Sequence, residues 1–146
     1  MPKLKFSFAL PKGRQVALVD PTGLSILENY IDHRDISIID IDRKNIFAVL
    51  RMLASRKISQ FDYTISYLKI LQPNFVFTFI DNNVDFYKLA TIFPKIKFIA
   101  IQNGQRANYA NQLGLGFFDL LKKESAKNQL SAHAICVLGR TAADQY

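Results

Sequence analysis

Five short apolar runs, each rich in β-branched or aromatic residues, constrain the fold of this chain more than any other feature. The residues within each run are almost all apolar and do not alternate with polar ones, as expected for strands of a parallel sheet that is covered on both faces. The runs are Val16–Val19, Ile36–Ile41, Phe75–Ile80, Ile96–Ile101 and Ala134–Leu138. We therefore predict five parallel strands with helices on both sides.

The segments between these runs have the spacing of helices. Apolar residues recur at i, i+3, i+4 and i+7 over residues 45–57 and 84–93, and weaker stripes precede Pro73 and follow Phe117. Thr22, Ser59 and Asn82 are candidate caps, and Pro94 should end its helix. Alternating strands and helices predict the α/β class. We expect residues 1–146 to form a single three-layer, Rossmann-like domain with a mostly parallel sheet of about five or six strands. Leu4–Leu10 fits either a sixth strand at the edge of the sheet or an ordered arm.

The composition is typical of a folded protein, with 49% hydrophobic and 21% charged residues. No apolar run approaches the roughly 20 residues that cross a bilayer, and the N-terminus lacks the apolar block of a signal peptide. The single cysteine, Cys136, follows apolar residues, and we interpret it as a small core residue. These features predict a cytoplasmic protein.

The formal net charge of +7 is unevenly distributed. Four basic residues lie in an N-terminal segment without acids, and a second group lies along the helix predicted at residues 45–57. This second group is Arg43, Lys44, Arg51, Arg56 and Lys57. It is either an ordinary solvated helix face or a surface that contacts phosphate groups or an anionic membrane.

Polar residues and glycines follow the predicted strands. In an open parallel sheet, ligands bind beyond the carboxyl ends of the strands, so we expect these residues to line one open cleft. Their carboxylates, amides and guanidinium groups suit hydroxyl-rich or phosphorylated ligands. The candidates are Asp20, Thr22, Asp81, Asn82, Gln102, Asn103, Gly104, Arg106 and Arg140.

These candidates also have structural interpretations. Residues 20–23, Asp-Pro-Thr-Gly, are ordinary turn and capping chemistry, and residues 81–83 could equally cap a helix. Asn103-Gly104 is a common signal for a tight turn, but Gln102 before it and Arg106 after it are polar residues that such a turn does not need. Neither a GxGxxG nor a GxxxxGK[ST] phosphate-binding loop is present. The two histidines and the cysteine lack the spacing of metal ligands, so we expect no bound metal and no cofactor.

Three stretches together resemble a known bacterial family. They are residues 15–23 (QVALVDPTG), residues 77–87 (FTFIDNNVDFY) and residues 98–106 (FIAIQNGQR), and residues 135–146 are a weaker match. The chain is similar to the N-terminal half of a family of surface carbohydrate biosynthesis proteins. Its members resemble GT-B glycosyltransferases and the glycerophosphotransferases that build cell-surface polymers.

The resemblance implies a glycosyltransferase-like or polyol-phosphate transferase-like role in polysaccharide assembly. In such enzymes the N-terminal domain presents the acceptor, and a C-terminal domain binds most of the nucleotide-activated donor. We therefore expect a missing C-terminal domain or a partner subunit, and little activity from this chain alone. Its acceptor would be a sugar or polyol, and the protein would work at the inner face of the membrane.

The resemblance also assigns roles to the candidate residues. Asp81 would be the general base or would orient a hydroxyl, and Arg106 or Arg140 would meet a phosphate. Asn82, Gln102 and Asn103 would hydrogen-bond ligand hydroxyls. Two other functions stay open: a non-catalytic ligand-binding or scaffold domain, and a basic nucleic-acid-binding module. The chain has no recognised nucleic-acid motif, so we expect no specific nucleic-acid partner.

Overall fold

The main sheet of the computed structural model has five strands in the order β3-β2-β5-β6-β7. The structure describes residues 5–11, 13–40, 42–56, 58–104, 116–127, 129–144 and 146. The strands are β1 (Lys5–Ser7), β2 (Val16–Leu18), β3 (Ile36–Ile38), β4 (Arg43–Asn45), β5 (Phe75–Thr78), β6 (Lys97–Ile101) and β7 (Ala134–Cys136). β2 pairs in parallel with β3 and β5, and β6 pairs in parallel with β7. The prediction of an α/β fold with a mostly parallel sheet is confirmed.

Helices connect these strands, as the apolar spacing predicted. They are α1 (Leu24–Leu27), α2 (Ile46–Ala54), α3 (Gln60–Leu71), α4 (Val84–Ile92), α5 (Phe117–Ser125) and α6 (Arg140–Ala143). A 3₁₀ turn at His33–Asp35 precedes β3. Within the described ranges, no helix is both long and apolar enough to cross a membrane.

The chain divides into two compact units, Met1–Phe77 and Thr78–Tyr146. In the first unit β2 is buried along its whole length, and α2 packs against α3. In the second unit Phe86 of α4 meets Phe98 of β6 edge to face, with 5.3 Å between the ring centroids. The assignment of residues 1–146 to a single domain stays a prediction.

The N-terminal strand differs from the prediction of a sixth strand at Leu4–Leu10. β1 pairs in parallel with β4 in a separate two-stranded sheet, which we call the β1–β4 ribbon. Leu4 lies outside the described residues. We predicted that Arg43 and Lys44 lie along the helix at residues 45–57, and the structure corrects this, because both residues are in β4. The helix begins later because the Asn45 side chain caps α2 by accepting hydrogen bonds from two backbone N–H groups.

Two predicted helix caps are also corrected. α1 begins after Gly23, whose φ of 82° lies in the left-handed region, and its start has no side-chain cap, so Thr22 is not the cap. α4 is capped by Asn83, which accepts a hydrogen bond from the Asp85 N–H at 3.0 Å, and not by Asn82. Ser59 caps α3 as predicted.

The prediction that Cys136 is a core residue is wrong. The residue is exposed because β7 is the last strand of the sheet and is covered less than the central strands. Chain order alone does not reveal which strand lies at an edge, so the apolar character of residues 134–138 was a poor guide to burial.

Candidate functional site

The turn after β5 places two of the predicted site residues in different environments. Asp81 is fully buried, with 0% of its surface exposed, whereas the next residue, Asn82, is exposed. Thr78, at the end of β5, begins the turn by accepting a hydrogen bond from the Ile80 N–H at 3.0 Å. The turn therefore directs the Asp81 side chain inward and the Asn82 side chain toward solvent.

Two tyrosines hold Asp81 from different parts of the second unit. The Tyr87 hydroxyl donates to the Asp81 backbone carbonyl at 2.8 Å, and the Tyr146 hydroxyl donates to Oδ2 of the carboxylate. Burial raises the pKa of Tyr87 far above its usual range, and the neighbouring Tyr146 contributes in the same direction. Tyr87 therefore stays a neutral donor.

A pocket of about 490 Å³ lies beside this turn, at the start of α4, and we call it the α4 pocket. Its polar lining consists of Asn82, Asn83, Asp85, Lys88 and Glu124. Its apolar lining consists of Ile80, Val84 and Leu120. The pocket therefore lies where ligands bind in open parallel sheets, beyond the carboxyl end of a strand.

Lys88 forms ion pairs with two carboxylates in the α4 pocket. Its Nζ lies 3.3 Å from Oδ1 of Asp85 and 3.2 Å from Oε2 of Glu124. Burial lowers the pKa of Lys88, but the hydrogen bonds to Glu124 and Asp85 outweigh that effect and raise the pKa overall. Lys88 is therefore a fixed cation that holds two acceptor groups in place.

A second pocket, of about 510 Å³, lies on another side of α5. Its lining includes the rings of Tyr87, Phe118 and Tyr146 and the side chains of Leu121 and Ile135. The Tyr146 ring packs edge to face on Phe118, with 5.2 Å between centroids. The ring that reaches Asp81 is thus held by aromatic contacts as well as by its hydrogen bond.

The predicted residues after β6 and β7 have mixed roles. Gln102 is buried, and its Oε1 accepts a hydrogen bond from the Leu138 N–H at 2.7 Å, which joins the ends of β6 and β7. Asn103 is exposed, and Gly104 lies in open space, so no close contact requires glycine there. Arg140 is exposed at the first position of α6.

Arg106 lies outside the described residues. Of the predicted site residues that the structure describes in the second unit, Asn82 lines the α4 pocket and the others do not. Asp81 and Asn82 adjoin in one turn, and Gln102 is engaged in holding two strands together. The prediction of one shared cleft therefore stays untested for its complete set of residues.

Asp20 and Thr22 belong to the first unit and form a local turn there. Oδ1 of Asp20 accepts a hydrogen bond from the Thr22 N–H at 2.8 Å, and Asp20 is 9% exposed while Thr22 is exposed. This geometry is the Asx turn that the structural interpretation of residues 20–23 predicts.

Sequence reasoning missed Lys88, Glu124 and Tyr146. The pair Asp85 and Lys88, three residues apart on a predicted helix, was a visible signal for the first of them. Nothing in the sequence places Glu124 or Tyr146 near α4 or the Asp81 turn. No group of three or more His, Cys, Asp or Glu side chains within the described ranges is arranged to hold a metal ion.

Comparison with protein-family models, with curated proteins and with solved structures finds no match for this chain.

Proposed function

We propose that this chain is the acceptor-side domain of a GT-B-like transferase in surface polysaccharide biosynthesis, and that the α4 pocket takes a sugar or polyol acceptor. The observation that supports this proposal most directly is the lining of that pocket. It combines carboxylates, amides and an ammonium group with apolar side chains. Such a mixture serves both the hydroxyl groups and the C–H faces of a polyhydroxylated ligand.

The charge of the pocket favours a neutral acceptor over a nucleotide-activated donor. Lys88 contributes one positive charge and Asp85 and Glu124 contribute two negative charges, so these side chains sum to −1. A diphosphate would meet this net negative charge and a cation that two carboxylates already neutralise. A donor would bind instead in a second domain or a partner subunit.

In this proposal Asp81 is the general base for the acceptor hydroxyl. Its carboxylate would take the hydroxyl proton as the acceptor oxygen attacks the activated donor and the nucleotide leaves. Because Asp81 is fully buried, does not line the α4 pocket and accepts a hydrogen bond from Tyr146, the tyrosine must withdraw before the carboxylate can meet an acceptor.

The same burial favours a second candidate, a ligand-binding domain that does not catalyse transfer. In that case Asp81 is a structural acceptor for Tyr146 and the α4 pocket binds its ligand without turnover. The two functions share the pocket and differ in whether the proton of a ligand hydroxyl moves to Asp81.

Binding to the α4 pocket can be tested by titrating the ¹⁵N-labelled chain with glycerol, ribitol and N-acetylglucosamine and following amide shifts by NMR. We expect saturable shifts at residues 82–88. Asn82→Ala should weaken binding about 3- to 10-fold, the effect of losing one or two hydrogen bonds. Asn74→Ala is the matched control, because it removes an exposed amide that does not line the pocket and should leave binding unchanged.

Equal weakening by Asn82→Ala and Asn74→Ala, or shifts confined to other regions, would contradict the pocket assignment. If binding is present, adding a donor-binding domain and a nucleotide-activated donor separates the two candidates. Transfer that Asp81→Asn lowers by about 10-fold or more supports the transferase. Binding without transfer supports the non-catalytic domain.

A further inference from the structure

The outward face of α2 is apolar and exposed. Ala48 and Met52 are buried on its inner face, whereas Leu50 is 56% exposed and Leu53 is 47% exposed. Phe47, on the same outer side, is 38% exposed. A helix that is apolar on all sides is normally covered on all sides, so the outer face of α2 has the composition of a contact surface.

The β1–β4 ribbon brings together the two acid-free basic segments of the chain. Its register sets Lys5 opposite Arg43 and Phe6 opposite Lys44. The chain has no acidic residue before Asp20, and residues 43–58 contain five basic residues and no acidic one, whereas Asp40 and Asp42 directly precede that second segment. Like charges directly opposite each other in a sheet destabilise the pairing, so an anionic partner would stabilise this arrangement.

Asn45 joins the ribbon to α2. Its Oδ1 accepts hydrogen bonds from the N–H groups of Phe47 and Ala48, while its Nδ2 donates to the Ala9 carbonyl at 2.7 Å. The residues on either side of Ala9 are apolar and exposed, Phe8 at 75% and Leu10 at 61%. The start of α2, the ribbon and residues 8–10 therefore adjoin, and we call these segments together with the outer face of α2 the docking face.

We propose that the docking face binds the surface of an anionic lipid bilayer, with Leu50 and Leu53 entering the interface and Lys5, Arg43 and Arg51 contacting the headgroups. Apolar side chains flanked by basic ones are the signature of a helix that lies in a membrane interface. This inference does not depend on the ligand proposed for the α4 pocket.

Two other occupants fit the docking face less well. A nucleic acid would match its charge, and the rings of Phe8 and Phe47 could stack on bases, but the exposed aliphatic side chains of Leu50 and Leu53 would stay uncovered. A second copy of the chain would bring basic residues against basic residues across a two-fold interface. A bilayer with anionic headgroups satisfies both the charge and the apolar surface.

Vesicle flotation tests the proposal, with phosphatidylcholine vesicles compared with vesicles that also contain phosphatidylglycerol. We expect binding only with the anionic lipid, and a steep loss as salt rises. Lys5→Ser with Arg43→Ser should weaken binding by about 30-fold, since each basic residue near such a surface contributes about a 5-fold gain. Leu50→Ser with Leu53→Ser should weaken it about 10-fold or more.

Each double variant has a matched control. Ile26→Ser with Tyr30→Ser removes exposed apolar side chains from another part of the first unit, and Lys69→Ser with Lys95→Ser removes two exposed lysines outside the docking face. Both controls should bind like the unchanged protein apart from a small loss from net charge. Circular dichroism should show the same fold for all four variants, because each substituted side chain is exposed or lies at the edge of the ribbon.

Several results would overturn the proposal. One is that the protein does not bind anionic vesicles at low salt. Another is that the docking-face variants and their controls lose equal amounts of vesicle binding. Salt-sensitive binding to single-stranded RNA without vesicle binding would identify a nucleic-acid surface instead. A dimer in solution that Leu50→Ser with Leu53→Ser dissociates, again without vesicle binding, would identify a second copy as the occupant.

Discussion

The turns after β2 and β5 each contain a buried aspartate, but the two carboxylates accept different hydrogen bonds. Each contains an aspartate two or three residues after its strand, and in each the aspartate is buried, Asp20 at 9% exposure and Asp81 at 0%. Asp20 accepts a hydrogen bond from the backbone of Thr22, two residues ahead. Asp81 instead accepts from the hydroxyl of Tyr146, 65 residues away.

The difference arises from which residue caps the following helix. After β5, Asn83 accepts the N–H of Asp85 and supplies the local cap, so the carboxylate of Asp81 can be used over a long range. After β2, the aspartate itself closes the turn, and Gly23 at a φ of 82° leads into α1 without a side-chain cap. An aspartate after a strand is thus a better functional candidate when another residue does the capping.

The largest effect that separates the two turns should come from removing each carboxylate. Asp81→Ala leaves the Tyr146 hydroxyl without this acceptor and should lower the free energy of unfolding by about 3 kcal/mol. Asp20→Ala removes a local turn bond and should lower it by about 1 kcal/mol. Urea unfolding followed by circular dichroism measures both values.

A double-mutant cycle checks that the larger effect is long-range. Asp81→Ala and Tyr146→Phe should be non-additive by about 1 to 2 kcal/mol, because they share one hydrogen bond. Additivity would show that the hydrogen bond from Tyr146 does not hold Asp81, and the comparison would fail.

A smaller effect should appear at alkaline pH around the Asp81 turn. Burial raises the pKa of Tyr87 above its ordinary value of 10.0, so the folded protein holds this proton more tightly than the unfolded chain does. The resulting stability is complete below about pH 10 and is lost as the pH rises above that value, by up to about 1.4 kcal/mol per pH unit. Tyr87→Phe should reduce this slope.

Tyr63 is the control for the pH effect, because burial raises its pKa as well but it lies in the first unit. Its hydroxyl accepts a hydrogen bond from the Asn45 N–H at 2.8 Å. Tyr63→Phe should leave the part of the slope that belongs to Tyr87. If Tyr87→Phe leaves the alkaline slope of unfolding unchanged while Tyr63→Phe removes it, Tyr87 does not anchor the turn as described.

The sequence predicted the central strands and long helices because their signals are local. The run Val16–Val19 and the stripe of residues 45–57 appear in the structure as β2 and α2. The pairing of Lys5 with Arg43 was not predictable, since it joins three-residue strands that are far apart in the chain and carry like charges. The exposure of Cys136 was equally hidden, because it depends on strand order.

The candidate site was predictable in part for the same reason. Asp81 and Asn82 follow a clear strand, and the carboxyl end of a strand is a general ligand position. The contact between Lys88 and Glu124 depends on where α5 packs, and the contact between Asp81 and Tyr146 depends on the path of the last residues. Such contacts are set by tertiary packing and leave no local pattern.

The smallest expected effect distinguishes the two asparagines of the Asp81 turn. Asn83→Ala removes the acceptor of the Asp85 N–H and should lower the free energy of unfolding by about 1 kcal/mol, the usual cost of a lost helix cap. Asn82→Ala changes an exposed side chain and should stay within about 0.5 kcal/mol of the unchanged protein. Thermal unfolding of the two variants under one condition measures the difference.

A larger loss for Asn82→Ala would mean that Asn82 caps α4 after all, and its assignment to ligand binding would lose its basis. A loss for Asn83→Ala alone would leave Asn82 available for a ligand hydroxyl, because its side chain is then not needed to hold the turn.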